Sequence, residues 1–554
     1  MPAIDLDLKI KIMVESKLDY GIYFPFDEIR DQQSEAIDFS LEAFLNSDKR
    51  FCIIEAGTGV GKSAIGMTVA RYLSDHLQTR EEFEPGAYFL TTQKILQEQY
   101  TNDFPAVVSL KSSSNYKCSY YKSNSCSESQ KLLRTADKSS QFFKSCSYGC
   151  KYKKQKDRFL NSTESVTNFS YFLTEANYSG KITPRQTLVI DEGHNVETEL
   201  SKFVEITISE LFSKNILKLS FPSKLTQYQT FLWIKGTYLP TASKRLKFFE
   251  ESIEKFGGDK LRNQLKQFQK ITKQYDLLRS HVTKIKKFVN LYEKDNWVFE
   301  SLTTERRGYR KISFKPIDVS VYAEDVLFRL GEKIIIMSAT IVNEKTFRDT
   351  LGIDNNDSCF ISLPSPFPKK NRPIIFSPAG SMSAKLIDET LPKLAASIRV
   401  ILDHHKGDKG IIHCKTYRIA NYLKNNLKDS RILTHNPTNR DVILERHTRS
   451  KKNTVLLSPS MTEGVDLKDD VSRFQIICKV PYPYLGDKLV RKRMNRIKGW
   501  YELQTAKSIV QSAGRSVRSK TDHAVTYMLD SDFDRFIRKN GHFFSQDFRD
   551  CILK

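Results

Sequence analysis

Residues 50–63 read RFCIIEAGTGVGKS, a short apolar run passing into a glycine-rich loop that ends in Gly61, Lys62 and Ser63. Beyond it Ile65, Val69, Leu73 and Leu77 recur at helical spacing. Strand, glycine loop and helix in that order are the setting a phosphate-binding loop requires. Gly57, Thr58, Gly59 and Gly61 let backbone N–H groups close round phosphate oxygens at a helix N-terminus, where the dipole also favours anions. Lys62 is expected to pair with the β- and γ-phosphates of a nucleotide, and Ser63 to ligate Mg2+. Ala56 stands where the loop pattern has its first glycine, a small-for-small exchange.

Such a loop needs an acidic partner, and TLVIDEGHN (187–195) supplies one. A buried run ends there in Asp191 and Glu192, acids at the C-terminal edge of a strand, where α/β sheets place their chemistry. Asp191 is expected in the Mg2+ shell, with Glu192 orienting and deprotonating the attacking water. The C-terminal half repeats the strand-then-helix rhythm: KIIIMSAT (333–340), GIIHCK (410–415), TVLLSPS (454–460), QIICKVPYP (475–483) and AVTYMLD (524–530) read as buried strands, with helical patterns such as TYRIANYLKNNL between them. Parallel sheets covered by helices, in two successive α/β domains, follow from that alternation. Near the end, QSAGRSVRS (511–519) places Arg515 and Arg518 three apart, on one face of a helix. Two arginines offered by a second domain to a phosphate on the first would stabilise transition-state charge.

The chain has 554 residues and a formal charge of +23, unevenly spread. Residues 1–105 with 161–200 carry a net −12, whereas 106–160 carry +9, 201–315 carry +13 and 316–554 carry +13. Basic surface confined to particular stretches points to a polyanion such as nucleic acid. No apolar run approaches the roughly 18 residues needed to cross a bilayer, so no membrane partner is expected. The opening MPAIDLDLKIKIMVESK interrupts its apolar residues with charge and does not read as a secretory signal. Nine cysteines without a secretory signal fit a reducing compartment, so the chain reads as cytoplasmic (nucleoid-associated) or nuclear. Four of them, Cys118, Cys126, Cys146 and Cys150, cluster as C-x7-C-x19-C-x3-C, which reads as a metal site. Only one pair has zinc-finger spacing, while iron–sulfur ligation accepts varied gaps, and the spacing leaves both metals open. Within 201–315, apolar residues at helical spacing on either side of a GGD turn (Leu246, Phe249, Ile253, Phe256, then Leu261 to Val289) predict a helical hairpin.

The ordered series of motifs resembles the superfamily 2 helicases of the XPD/DinG type. Along the chain stand FPFDEIRDQQ, whose Arg30 and Gln33 match the family's adenine-side Q motif, EAGTGVGKS and TTQKILQEQY as motifs I and Ia, and DEGH as a variant of the DEAH box. MSAT, SPFP (365–368), TEGVDL (462–467), PYPYLGD (481–487) and QSAGRSVRS follow. The resemblance spans nearly the whole chain. It implies two RecA-like motor domains, ATP with Mg2+, translocation on single-stranded DNA with 5′→3′ polarity, and unwinding at duplex junctions. It also implies that the four clustered cysteines hold a [4Fe–4S] cluster in an inserted domain acting as a wedge, and that 201–315 is an Arch-like insertion, open to protein partners. Gln511 and Asp466 are implied as relays between nucleotide and DNA. A monomer is expected.

The domain plan that follows is motor domain 1 in three pieces (1–105, 161–200, 316–370), the cysteine insertion (106–160), the helical insertion (201–315) and motor domain 2 (371–554). Two rival functions share these features: a P-loop ATPase that remodels protein–nucleic acid complexes without unwinding, and a helicase directed at RNA. A non-enzymatic DNA-binding module is disfavoured by the intact Lys62, Glu192 and Arg515.

Overall fold

Among the described residues seventeen strands, numbered in chain order, sort into three sheets. The first five are β1 (Phe51–Ala56), β2 (Glu84–Thr91), β3 (Val108–Ser109), β4 (Glu164–Asn168) and β5 (Arg185–Ile190). After an excursion carrying β6 (Ile206–Ser209), β7 (Trp297–Thr303) and β8 (Arg310–Pro316), β9 (Gly331–Ser338) and β10 (Ser358–Leu363) return to join them. The resulting sheet has the order β10-β1-β9-β5-β2-β4-β3, with every pairing parallel. The computed structural model describes residues 19–553 apart from 58, 123, 135, 224, 256–264, 304–307, 437, 460–466, 468, 515 and 518–520.

A second all-parallel sheet follows, built from β11 (Ile374–Gly380), β12 (Gly410–His413), β13 (Ile432–Thr434), β14 (Val455–Ser458), β15 (Phe474–Ile477), β16 (Val525–Asp530) and β17 (Ile552–Leu553). Its order is β13-β14-β12-β15-β16-β11-β17. The apolar runs become central strands because helices cover both faces, so neither side of the pleat needs polar residues. Ile334, Ile335, Ile336 and Met337 of β9 have no exposed surface at all. Both sheets thus bear out the doubly covered α/β architecture, and the chain passes from one to the other between Leu363 and Ile374.

Topology places the chemistry. β1, β9 and β5 are neighbours in one sheet, so the loops leaving their C-terminal ends emerge side by side. Those loops are the glycine loop, the SAT turn and the DEGH turn. Helix Lys62–His76 leaves the first, and helix Val196–Val204 follows the third.

The excursion 201–315 contains the expected hairpin, in helices Leu239–Glu254 and Leu265–Leu291. Phe249 and Ile253 are buried in it from one side, Tyr275, Leu278, Val282 and Ile285 from the other. Its GGD turn, with Phe256 and Leu261, lies outside the described residues. The hairpin stands on something the sequence reading lacked, an antiparallel sheet of order β6-β8-β7. Phe288, Trp297 and Phe314 join the two, with ring centroids 4.9 and 5.0 Å from that of Phe288.

Candidate active site

The glycine loop is shaped by its neighbours. Gly59 and Gly61 both have left-handed backbone, φ +87° and +89°, which a side chain would resist. There is no room for one either. A Cβ on Gly59 would lie 2.3 Å from Phe367 Cζ, and one on Gly61 would lie 2.4 Å from Gln33 Nε2. Arg30 donates from Nη1 to the Gly59 carbonyl at 2.6 Å, and Gln33 Oε1 accepts the Arg30 N–H at 2.9 Å. The two residues read as an adenine-side motif therefore hold the loop. Lys62 opens the helix, its Nζ donating to the Ala56 carbonyl at 3.1 Å. Thr58 lies outside the described residues.

Across from Lys62, Asp191 is buried with one oxygen accepting the Glu192 N–H at 2.9 Å and the other the Tyr100 hydroxyl at 3.4 Å. Burial, reinforced by the Glu192 carboxylate, pushes its pKa up to about 6 against the pull of Lys62. Divalent-cation charge is what such a desolvated acid pair needs. Burial pushes the Tyr100 phenol well up, with Ser63 close enough to oppose the rise, so the phenol stands beside both expected Mg2+ ligands. Glu192 itself sits at φ 55°, uncommon for a residue with a side chain, a local strain of the kind found at active sites. Its carboxylate lies 3.3 Å from His194 Nδ1.

From there a polar chain crosses to the second domain. His194 Nδ1 is 2.8 Å from Ser338 Oγ, Ser338 Oγ accepts the Thr340 N–H at 3.0 Å, and Gln511 Nε2 donates to Thr340 Oγ1 at 3.3 Å. DEGH, SAT and the motif around Gln511 are thereby linked. The chain flanks a cleft of about 900 Å3, lined by Gly57, Lys62 and Glu192 from the first domain and by Gln511, Gly514 and Val517 from the second. Arg515, Arg518 and Asp466 lie outside the described residues.

Two family models match the chain: "Helicase C-terminal domain" over residues 402–550 and "Type III restriction enzyme, res subunit" over 27–221. The chain is 24% identical over 234 residues to the "ATP-dependent DNA helicase YoaA" of Escherichia coli, covering 40% of this chain and 36% of that one. It is 24% identical over 254 residues to the "ATP-dependent DNA helicase DinG" of Photobacterium profundum, covering 41% and 35%. The chain thus matches about a third of the length of these curated relatives. Among solved structures, an XPD helicase superposes with a TM-score of 0.59 at 16% identity, over 93% of this chain and 98% of that one. S. tokodaii Xpd4 gives 0.56 at 15%, over 94% and 99%. In its matches and its fold the chain is similar to helicases of the XPD/DinG type.

The cysteine insertion can be tested against the cluster the resemblance implies. Cys118, Cys126, Cys146 and Cys150 all line one small cavity, with Cys126 Sγ 3.4 Å from Cys150 Sγ. Cys126, Cys146 and Cys150 are buried, and Cys118 Sγ accepts the Tyr121 N–H at 3.3 Å. Burial and the neighbouring sulfurs push the Cys126 thiol far up, so as it stands that cysteine keeps its proton; a bound metal would take it as a thiolate. Among the described residues no group of three or more His, Cys, Asp or Glu is drawn tightly enough to hold a metal ion. The four cysteines share one cavity without forming a metal-binding group in this arrangement. The insertion is tied to the motor by its exit helix Lys151–Asn161: buried Arg185 donates to the Leu160 carbonyl at 2.9 Å, and Gln155 to the Ser109 carbonyl at 2.8 Å.

Tyr100, Phe367 and the pair Arg372–Asp547, whose Nη2 lies 2.7 Å from Oδ2, are site residues that the motif reading passed over. Tyr100 closes the motif Ia stretch TTQKILQEQY and Phe367 sits inside SPFP, so both lay within recognised motifs without an assigned role. No pattern marks Asp547, which is 175 residues from its partner. No helix among the described residues is long and apolar enough to cross a membrane.

Proposed function

We propose that this chain is an ATP-dependent helicase that translocates 5′→3′ along single-stranded DNA and separates duplexes at a junction. The observation that carries the reading is the polar chain from Glu192 through His194, Ser338 and Thr340 to Gln511. It joins the site of hydrolysis to the second motor domain across the cleft. Lys62 binds the β- and γ-phosphates, Ser63 and Asp191 hold Mg2+, and Glu192 takes the proton of the attacking water. Arg515 and Arg518 reach the transferring phosphoryl group when the cleft closes, and Asp466 with Gln511 relays closure to the DNA path. Mg2+ supplies charge neutralisation between the phosphates.

DNA rather than RNA is favoured by the names of the curated relatives, and a polyanion by the +9 and +13 charges of residues 106–160 and 201–315 and the +13 of residues 316–554. Cys118, Cys126, Cys146 and Cys150 hold a [4Fe–4S] cluster whose part is structural, fixing the insertion beside the strand. Tyr120 and Tyr121, 43% and 39% exposed, offer rings on which bases stack at the point of separation. The hairpin of the 201–315 insertion walls the passage and receives protein partners. The cleft is completed within one chain, which supports action as a monomer. Such an enzyme works in the cytoplasm on the nucleoid, or in the nucleus.

The deciding experiment is strand displacement on 5′- and 3′-tailed duplexes, run beside ATPase with single-stranded DNA or RNA. Displacement of the 5′-tailed duplex alone, with hydrolysis stimulated by DNA, is expected. Hydrolysis without displacement on either substrate would instead identify a remodelling ATPase, and stimulation by RNA alone an RNA enzyme.

A further inference from the structure

Away from the nucleotide cleft, the two motor domains share a second polar contact of a different character. Glu197 lies on helix Val196–Val204, five residues beyond Glu192, and belongs to the first domain. Its Oε1 pairs with Arg493 Nη1 of the second domain at 2.9 Å. Both side chains are under a tenth exposed. The Trp500 indole N–H reaches both carboxylate oxygens, at 2.9 and 3.1 Å, and Gln504 Nε2 donates to Oε2 at 3.3 Å. The rest of the guanidinium is also satisfied. Nε donates to the Ile317 carbonyl at 2.9 Å, and Nη2 to Ser201 Oγ and the Pro316 carbonyl, each at 3.1 Å.

Trp500 and Gln504 open helix Trp500–Ala513, and Gln511 lies near its other end. Fourteen residues at about 1.5 Å each make a rod of about 20 Å. One end is thus locked to the helix that leaves DEGH, through buried charges that opening would strand without partners. The other end reaches the first domain through the 3.3 Å bond from Gln511, beside a 900 Å3 cleft. Midway, Lys507 places its ammonium 5.6 Å from the ring centroid of Phe347 in the first domain, so the rod is held most firmly towards its Trp500 end while the gap lies at the other, the arrangement of a lever.

We propose that Glu197, Arg493 and Trp500 form a pivot that stays closed while the motor cleft opens and shuts, making them positioning residues that set where Arg515 and Arg518 arrive. Arg493 also binds the carbonyls of Pro316 and Ile317, where the chain returns from the 201–315 insertion, so the pivot holds the base of that insertion to the same point. The inference rests on the ATPase reading above and deepens it.

The test uses the full-length chain and two measurements. Glu197→Gln keeps the shape and an acceptor oxygen but removes the charge that balances Arg493. Its DNA-stimulated kcat is expected to fall at least tenfold, since a misplacement of about 1 Å costs on the order of a hundredfold. Its KM for ATP should stay within about twofold, because the phosphate-binding loop is untouched. In parallel, Trp233→Phe with Trp297→Phe leaves Trp500 as the sole indole, one of three tryptophans in the sequence. Its emission should be the same without nucleotide, with ADP, and with a non-hydrolysable ATP analogue plus single-stranded DNA. An emission change on nucleotide binding would show that the contact opens, and a Glu197→Gln enzyme with unaltered kcat would show that it positions nothing. Either result overturns the pivot. Wild-type protein that hydrolyses no ATP with any nucleic acid would instead refute the parent reading, and the emission comparison is made on protein shown to bind the nucleotide.

Discussion

Gly193 makes the motif DEGH where the family's box has DEAH, and converting it to the family letter should damage this enzyme. Gly193 is buried, and its φ is not left-handed, so alanine suits the backbone. Space is the obstacle. A Cβ there would lie 2.3 Å from Ile336 Cγ2 on the central strand β9 and 3.3 Å from the Met337 carbonyl oxygen. Carbon atoms in contact sit at about 3.5–4.0 Å, so the new methyl is more than about 1 Å too close. Ile336 has no exposed surface and packs in the core, which leaves the DEGH turn as the part that yields. Overpacking of this kind costs about 1–3 kcal/mol. Displacing Glu192 by about 1 Å costs on the order of a hundredfold in turnover. Gly193→Ala is therefore expected to melt a few degrees lower and to hydrolyse ATP about a hundredfold more slowly, with nucleotide affinity nearly unchanged. Adding Ile336→Ala removes the clashing methyl and should restore turnover relative to Gly193→Ala while lowering stability further. Steady-state ATPase and thermal unfolding on the four proteins of that cycle decide it. Normal turnover in Gly193→Ala, or no recovery in the double substitution, would refute the packing argument.

Lys62→Ala should abolish hydrolysis and strand displacement while single-strand binding stays within a few-fold, because the ammonium sits in the cleft rather than on the basic insertions; fluorescence anisotropy beside an ATPase assay checks both halves. Anaerobically purified protein should contain about four irons per chain, as one four-thiolate [4Fe–4S] centre requires, and metal analysis giving one zinc and no iron would reject that cluster. Cys118→Ser and Cys150→Ser should lose the metal and strand separation but keep at least part of the ATPase, since the glycine loop and DEGH turn belong to a sheet with its own core; a metal-free variant that still unwinds would remove the wedge. Burial pushes both His281 and His447 down to about 4, so each is neutral in the fold. An unfolded histidine takes up its proton near pH 6.5. Each ring therefore loses stability as pH falls from about 6.5 towards 4, by up to about 1.4 kcal/mol per unit, while Asp191, which takes up its proton in the fold near pH 6, works the other way. Urea unfolding of wild type and His281→Gln between pH 7.5 and 5 isolates one ring: the substituted chain should lose less stability on acidification, and parallel profiles would contradict the burial of His281.

What the sequence could and could not disclose follows from distance along the chain. The glycine loop, the DEGH acids and the SAT turn are each written in a few consecutive residues, because each is a strand end with its own turn. The buried strands declare themselves the same way: KIIIMSAT, apolar at every inner position, becomes β9 with both faces covered. The antiparallel sheet under the hairpin did not, although Ile312, Phe314 and Pro316 of β8 alternate inward. Lys311, Ser313 and Lys315 between them give the segment the polarity of a loop, and its partner β6 is only four residues long. The four cysteines could be grouped as one site by their clustering, though not given a geometry; the fold brings them to one cavity by packing the helices Gln141–Tyr148 and Lys151–Asn161 beside the motor sheet. Least visible of all is the coupling. Glu197 and Arg493 are some three hundred residues apart, neither belongs to a recognised motif, and an ion pair of that kind leaves no local trace. Motifs record what touches nucleotide, whereas transmission depends on which helix of one domain is pinned to which helix of the other. In this chain the helix that follows the DEGH turn also carries the carboxylate that pairs with Arg493 of the second domain. If Glu192 and the pivot act as proposed, chemistry and leverage share one rigid element, and the stroke needs no longer path than helix Val196–Val204 and the rod it anchors.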